Sequence, residues 1–306
     1  GIYVDAKELA LAQRVAERYL QTHENDTEMQ LTRASILLRQ GKFDEAAKAL
    51  VAIPASDKTA AGFEVFNVLA SAMSQEWQKI IDMPLPAEPQ SVALPVRFIL
   101  AAAHVKTGQK DKAMSVLSQP GREEPFGGRA GAIVLKALGQ PSGAPLPDET
   151  SLSADETALS DALSSSADVL ADFSCGIAYQ MSRLDDDAYL AFKRVDDALS
   201  ANNDSLLRFL FASLPNVVRL KEAGQEAKSL AEKHSTRPKA WQGCAAVLQR
   251  LGDTTGERAA LDKAAEVGPD IPEVLLQRGD FFARQNDMAG AIAEYRRLLQ
   301  LRPDDP

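Results

Sequence analysis

The amino-acid sequence predicts an all-α protein. Of its 306 residues, 45% are apolar, which suffices to bury a hydrophobic core, and most of these are Ala and Leu. Both residues favour helices, and their small or unbranched side chains allow helices to pack closely. Aromatic residues make up only 6%, and there are no long runs of Val, Ile, Thr and Tyr with the period of two that is typical of strands.

A repeat of 34 residues supports the same fold class. When residues 238–271 are set above residues 272–305, apolar and helix-ending residues coincide at this constant offset. A period of this length is typical of helix pairs that stack on their neighbours. The coinciding pairs are Trp241 with Leu275, Leu248 with Phe282, Leu261 with Tyr295, Ala264 with Leu298, and Pro269 with Pro303.

The last repeat has Gly279, Phe282, Ala291, Tyr295 and Pro303 at fixed spacings, and this pattern resembles the tetratricopeptide repeat (TPR) family. Small residues let the first helix of a repeat (helix A) touch the second (helix B), aromatic residues fill the space between hairpins, and Pro ends helix B. The resemblance implies a TPR-like solenoid of helical hairpins wound as a right-handed α-α superhelix. The residues that match the family's pattern are Gly279, Phe282, Ala291, Tyr295 and Pro303.

Weaker copies of the repeat are found upstream. Residues 5–21 resemble a helix B, and further units are predicted over 27–60, from Leu94, from Val169 and over 204–237. We interpret the last of these as degenerate, because a Leu-Pro step falls inside its helix A and Pro interrupts helices.

The turns of two upstream units share one pattern. Gly41 and Gly108 are expected to end helix A in the left-handed backbone conformation that glycine adopts readily. Asp44 and Asp111 are expected to cap the following helix B by accepting hydrogen bonds from its free N–H groups.

A segment rich in Pro and Gly divides the predicted array. Residues 61–93 predict a helix pair without the repeat's key small residues, and residues 122–138 predict a single helix. Residues 139–153, which contain three prolines and two glycines, predict a linker. We therefore predict an N-terminal sub-array over 1–138 and a C-terminal sub-array over 154–306.

The TPR resemblance also implies a concave groove, lined by helices A, that binds a partner segment. Carried over by register, the groove would combine apolar side chains with a basic residue near the end of several helices A. Such a groove suits an extended or helical segment with apolar anchors and carboxylates. The implied groove residues are Arg39, Phe98, Lys106, Phe173, Ile177, Met181, Arg208, Gln242, Arg250, Leu276, Asp280 and Arg284.

Two simpler explanations stay open for these residues. Lys and Arg are favoured late in a helix by the helix dipole, with no ligand required. Phe98 and Phe173 also fit positions in a hydrophobic core.

The sequence shows no pattern for metal binding. The three histidines, His23, His104 and His234, lie in different units at spacings that fit no zinc motif, and His104 is predicted to be a core residue. The run Asp185–Asp187 lacks the alternation and the glycine of a calcium loop, so it predicts a solvated turn with a helix cap.

Patterns for catalysis are missing as well. The glycines of 127–131 follow no strand and precede no phosphate-binding Lys, and the serines of 164–166 predict a linker and a helix cap. Cys175 and Cys244 form no CxxC motif and are predicted to be buried and unpaired. We therefore expect no enzyme activity, no cofactor and no metal.

Charge and hydropathy limit the partners further. The net charge of −9 disfavours nucleic acid and anionic membranes, and no apolar run approaches the ~18–20 residues that span a bilayer. The chain begins without Met or a signal peptide, and no polar capping helix ends it, so we expect a section of a longer array.

The function predicted is a protein–protein interaction scaffold of bacterial type. Analogy with the family favours a section of an assembly or cell-envelope export protein, in the periplasm or cell envelope rather than the cytoplasm. Two alternatives are the recruiting arm of an enzyme whose catalytic domain lies elsewhere, and a scaffold that associates end to end with its own copies.

Overall fold

A computed structural model describes residues 6–54, 57, 62–84, 92–118, 125–139, 152–199, 203–214 and 223–302. Over these residues the chain forms seventeen α-helices and no strand, which confirms the all-α, helical-repeat prediction. The helices are α1 (Ala6–Leu20), α2 (Thr27–Arg39), α3 (Phe43–Val51), α4 (Phe63–Met73), α5 (Trp77–Ile81), α6 (Leu94–Lys106), α7 (Lys110–Leu117), α8 (Pro125–Leu138), α9 (Ala154–Leu163), α10 (Ala167–Met181), α11 (Asp185–Leu199), α12 (Asp204–Ser213), α13 (Ala223–Lys233), α14 (Pro238–Arg250), α15 (Thr254–Val267), α16 (Pro272–Arg284) and α17 (Met288–Leu301).

The described residues form two compact units. Unit 1 contains α1–α11, and unit 2 contains α12–α17. In unit 1 the pairs α2/α3, α6/α7 and α10/α11 pack as hairpins, and α10 also packs on α6. In unit 2, α14 pairs with α15 and α16 pairs with α17, as the two clearest repeats predict.

In the turns inside the hairpins, the predicted glycine conformation is confirmed and the predicted aspartate caps are wrong. Gly41 and Gly108 adopt φ of 74° and 76°, the left-handed conformation expected after helix A. Asp44 and Asp111 do not cap helix B, since they lie inside the first turn of α3 and α7. A carboxylate in the first turn interacts favourably with the helix dipole, but these two accept no capping hydrogen bond from the backbone.

Aspartate caps are present instead in the two C-terminal repeats. Asp253 Oδ1 accepts a hydrogen bond from Gly256 N at 2.8 Å, and Asp287 Oδ1 accepts one from Gly290 N at 2.9 Å. Asp253 and Asp287 are 34 residues apart, so the same N-cap hydrogen bond recurs at the start of helix B in both repeats.

The predicted linker lies mainly outside the described residues, which omit 140–151, and a linker there stays a prediction. The helices on its two sides, α8 and α9, pack against each other within unit 1. Arg129 on α8 forms a bidentate ion pair with Glu156 on α9, with N–O distances of 2.9 and 2.6 Å. The compact units divide close to residue 202, away from the Pro/Gly-rich segment.

Two predictions about polar residues have different outcomes. His104 is buried, as predicted for a core histidine, and this burial together with Lys112 lowers its pKa. The prediction of a solvated turn at Asp185–Asp187 is wrong, because Asp185 and Asp186 are buried in the first turn of α11. The turn before them is packed against the unit, with Leu184 also buried.

Cys175 and Cys244 are unpaired and buried, as the sequence predicts. Burial disfavours the thiolate and raises the pKa of Cys175 to about 12 and that of Cys244 to about 11. Near pH 8 both groups should therefore remain protonated thiols. We expect Ellman's reagent to label the native chain far more slowly than the chain in denaturing guanidinium chloride; rapid labelling of the native chain would contradict the burial.

No helix in the described ranges combines the length and apolar content that crossing a membrane requires.

Candidate functional site

Three of the predicted groove residues belong to the core of unit 1. Phe98 on α6 and Phe173 and Ile177 on α10 are fully buried, so they offer no surface to a partner and are corrected from groove to core. The physical reason is that α6 and α10 pack directly on each other. Phe173 also meets Phe192 of α11 edge to face, with ring centroids 5.7 Å apart.

The other candidates of unit 1 are partly covered. Lys106 Nζ forms an ion pair with Asp168 Oδ1 at 2.5 Å and lies 6.0 Å from the centroid of the Trp77 ring. It therefore joins neighbouring helices, and its pairing lowers the pKa of Asp168. Arg39 and Met181, at the ends of α2 and α10, are half-buried.

In unit 2 the remaining candidates lie on three helices A that follow one another. Helix α14 packs against both α12 and α16. Arg208, Gln242 and Leu276 occupy equivalent positions in successive repeats, and Arg250 and Arg284 form a second such row. We define the A-helix face as Arg208, Gln242, Arg250, Leu276, Asp280 and Arg284.

The exposure of the A-helix face fits a binding surface. Arg208, Arg250, Asp280 and Arg284 are exposed, Gln242 is half-buried, and Leu276 keeps 47% of its surface accessible. Leu276, Asp280 and Arg284 are spaced four residues apart, so they share one face of α16. An exposed Leu among charged groups is the mixture that the sequence predicts for the groove.

Two members of this face also hold neighbouring helices together. Arg284 forms an ion pair with Glu257 of α15, a residue that is buried. The burial of Glu257 raises its pKa, and Arg284 opposes that rise. Asp280 Oδ1 accepts a hydrogen bond from the Tyr295 hydroxyl at 2.7 Å. Sequence reasoning found these residues by register but missed that they are already paired.

The described residues were also searched for a metal site and for a cavity. None of the groups of His, Cys, Asp and Glu there has the three members that would hold a metal ion. A shallow cavity of about 400 Å³ lies between α1 and α2, lined by Leu20 and polar side chains. Its polar lining consists of Glu17, Gln21, Glu24, Gln30 and Arg33.

Comparison with solved structures finds distant likenesses. The structure titled MamA MSR-1 C2 is 14% identical, with 68% of this chain and 97% of that chain covered and a TM-score of 0.36. Yeast Tom70 is 16% identical, with 99% and 68% covered and a TM-score of 0.32. Naa15/Naa10 bound to HypK-THB is 14% identical, with 98% and 61% covered and a TM-score of 0.21. These scores are too low to support any inference.

No curated protein matches the chain. The model of the family described as tetratricopeptide repeat matches residues 2–61 and 246–306. The first range holds α1–α3, and the second holds the end of α14 and all of α15–α17, where the 34-residue repeat and its aspartate caps lie. Over these two ranges, which together make up less than half of the chain, the sequence is similar to the tetratricopeptide repeat family.

Proposed function

We propose that the chain is a protein–protein interaction scaffold that binds a partner segment on the A-helix face of unit 2. The observation that carries the proposal is the alignment of exposed side chains from α12, α14 and α16 in successive repeats. Stacked helix pairs present such rows as a continuous surface, and their usual role is to hold another protein.

The chemistry of the face suggests the partner. Arg208, Arg250 and Arg284 place three guanidinium groups on this face beside the carboxylate of Asp280, and Arg284 is also paired with Glu257. Leu276 adds an exposed apolar group that a partner would cover. An extended or helical segment with an apolar anchor and carboxylates would complement this surface.

The decisive experiment compares partner capture from source-cell lysate by the native chain and by the Arg208→Glu/Arg250→Glu variant. We expect the variant to lose its captured partner, with affinity reduced at least about tenfold, because Arg is prominent among residues that dominate binding energy. Arg284 is left intact, since a Glu there would face the buried Glu257 and destabilise unit 2.

The matched control is the Arg258→Glu/Lys263→Glu variant, which makes the same change of charge on exposed positions of α15. It should retain the partner. If both variants lose the partner equally, a general charge effect explains the loss; if both retain it, the A-helix face is not the binding site. Circular dichroism would check that each variant is folded.

The remaining features of the function are proposals from the family resemblance. A role as one section of a cell-envelope export or assembly protein would be supported if the captured partner belongs to such a system. Turnover by the isolated chain would contradict the proposal that it acts as a scaffold without enzyme activity.

A further inference from the structure

One guanidinium group of the A-helix face is already neutralised by the chain itself. Arg284, at the end of α16, forms an ion pair with Glu257 of α15, which is buried. Asp280 lies one turn earlier on the same face of α16 and adds a second carboxylate. A partner carboxylate placed on Arg284 would therefore meet two negative charges. Arg284 is suited to an acceptor without a charge.

The amide of Gln249, on α14, fixes the plane of this guanidinium group. One terminal atom of the amide lies 3.0 Å from Arg284 Nη2, 3.1 Å from Nη1 and 3.2 Å from Nε. All three nitrogens are donors, so we assign this atom as Oε1. An atom almost equidistant from the three nitrogens lies above the guanidinium plane, because an acceptor in the plane can approach only two of them. Gln249 therefore stacks on Arg284 and leaves its in-plane N–H groups open.

Most of these N–H groups are available to a partner. A guanidinium group carries five N–H donors. Within the part of the chain that the structure describes, Arg284 donates in its own plane only to Glu257. The Arg284 side chain is 41% exposed. The A-helix face thus holds a set of donors with a fixed orientation and a neutralised charge.

A further helix packed against α16 would leave this position accessible. Arg250 is the equivalent of Arg284 one repeat earlier, and it is exposed although α16 packs against α14. Gln249 is exposed beside it under the same packing. The accessibility of Arg284 therefore follows from its position on helix A and does not require α16 to be the last helix A of the array.

Main-chain carbonyl groups are neutral acceptors, and the backbone conformation decides whether they are available. In an α-helix each C=O accepts from the N–H four residues later, so only the last turn has free carbonyl groups. In an extended segment of the polyproline II type no C=O is used internally. Donors such as those of Arg284 therefore favour an extended segment, whereas the charges of Arg208 and Arg250 suit either conformation.

We propose that the A-helix face binds its partner as an extended segment, with a main-chain carbonyl group accepting a hydrogen bond from Arg284. Gln249 is a positioning residue, because it holds the guanidinium plane of Arg284. Carboxylates of the same segment pair with Arg208 and Arg250. This inference rests on the function proposed above and selects one of the two partner conformations left open there.

The test measures the affinity of the full chain for two labelled synthetic peptides by fluorescence anisotropy. Both peptides have blocked ends and carry a Leu flanked by Glu residues. One is built on Pro and Ser and is extended; the other is built on Ala and held as a helix by a side-chain lactam. We expect the extended peptide to bind about fivefold more tightly, the effect of one additional hydrogen bond.

Chain variants assign that preference to Arg284 and Gln249. Gln249→Ala should weaken binding of the extended peptide about threefold and leave the helical peptide unchanged, because the guanidinium plane is no longer fixed. In the Arg284→Lys background, Gln249→Ala should have no further effect, since it acts through the guanidinium group. The matched control, Gln225→Ala at an exposed position of α13, should change neither affinity. Circular dichroism would check that each variant is folded.

Four results would overturn the inference. These are equal or tighter binding of the helical peptide, an absence of binding by both peptides, equal weakening of both by Gln249→Ala, and an undiminished effect of Gln249→Ala in the Arg284→Lys background. The scaffold proposal fails by a different result, namely retention of the captured partner by Arg208→Glu/Arg250→Glu. The two failures are therefore distinguishable.

Discussion

Replacing Arg129 with Ala should lower the free energy of unfolding by about 2–3 kcal/mol, because it removes the bidentate partner of a buried carboxylate. Glu156 is only 1% exposed, and its carboxylate accepts from Arg129 at 2.9 and 2.6 Å and from Ser153 N at 3.0 Å. Breaking a buried pair costs up to about 5 kcal/mol, and we expect less here because the Arg129 side chain is 42% exposed. Urea unfolding followed by circular dichroism would measure the change.

Two companion variants separate the buried pair from surface charge. Lys79→Ala removes an exposed ion pair of the same unit, Lys79–Glu76, and should cost less than about 1 kcal/mol. Adding Glu156→Gln to Arg129→Ala should restore part of the lost stability, since the amide retains an oxygen for the helix cap without a buried charge. A loss of similar size in Arg129→Ala and Lys79→Ala would contradict this account.

Gly176→Ala should lower the free energy of unfolding by about 2 kcal/mol, because the added methyl has no room. A Cβ at this position would lie 2.6 Å from Phe192 Cε1. Phe192 is fully buried and packs edge to face against Phe173, so its ring cannot swing away. Overpacking of this kind costs up to about 3 kcal/mol, and the better helix propensity of Ala returns about 1 kcal/mol.

Gly279→Ala provides the contrast in unit 2. Its Cβ would approach Tyr295 Cε1 even more closely, at 2.3 Å, but Tyr295 is half-buried on α17 and its ring has space to move outward. The main loss is then the hydrogen bond from the Tyr295 hydroxyl to Asp280, about 1 kcal/mol, and the better helix propensity of Ala offsets it, so we expect little net change in the free energy of unfolding. If Gly279→Ala proves more costly than Gly176→Ala, the distance in the native structure governs the effect and our account of the ring's freedom is wrong.

The helices could be predicted from the sequence because their signals are local. Each signal depends on residues that are close in the sequence. Apolar spacing and the glycines that end helices A involve one or two helical turns, and the 34-residue offset involves one repeat. They predicted the hairpins α14/α15 and α16/α17, the left-handed Gly41 and Gly108, and the buried thiols. The predicted caps at Asp44 and Asp111 were wrong, since a carboxylate near the start of a helix fits either a cap or the first turn.

The candidate site could be predicted only in part, because exposure depends on neighbours that are distant in the chain. Phe98 and Leu276 are both apolar residues on a helix A, and register alone assigns both to the groove. The packing of α10 on α6 buries Phe98, whereas Leu276 remains exposed on α16. Register likewise identified Arg284 but gave no sign that Glu257 holds it.

The sequence by itself therefore determined the helix content, the repeat length and the positions that recur on helices A, because these follow from spacing along one chain. The tertiary structure decided which of those positions reach the surface, which charges are paired across helices, and where the two compact units divide. Burial and ion pairing depend on the helix that packs against a residue. The same residue type is therefore buried at one position and exposed at another.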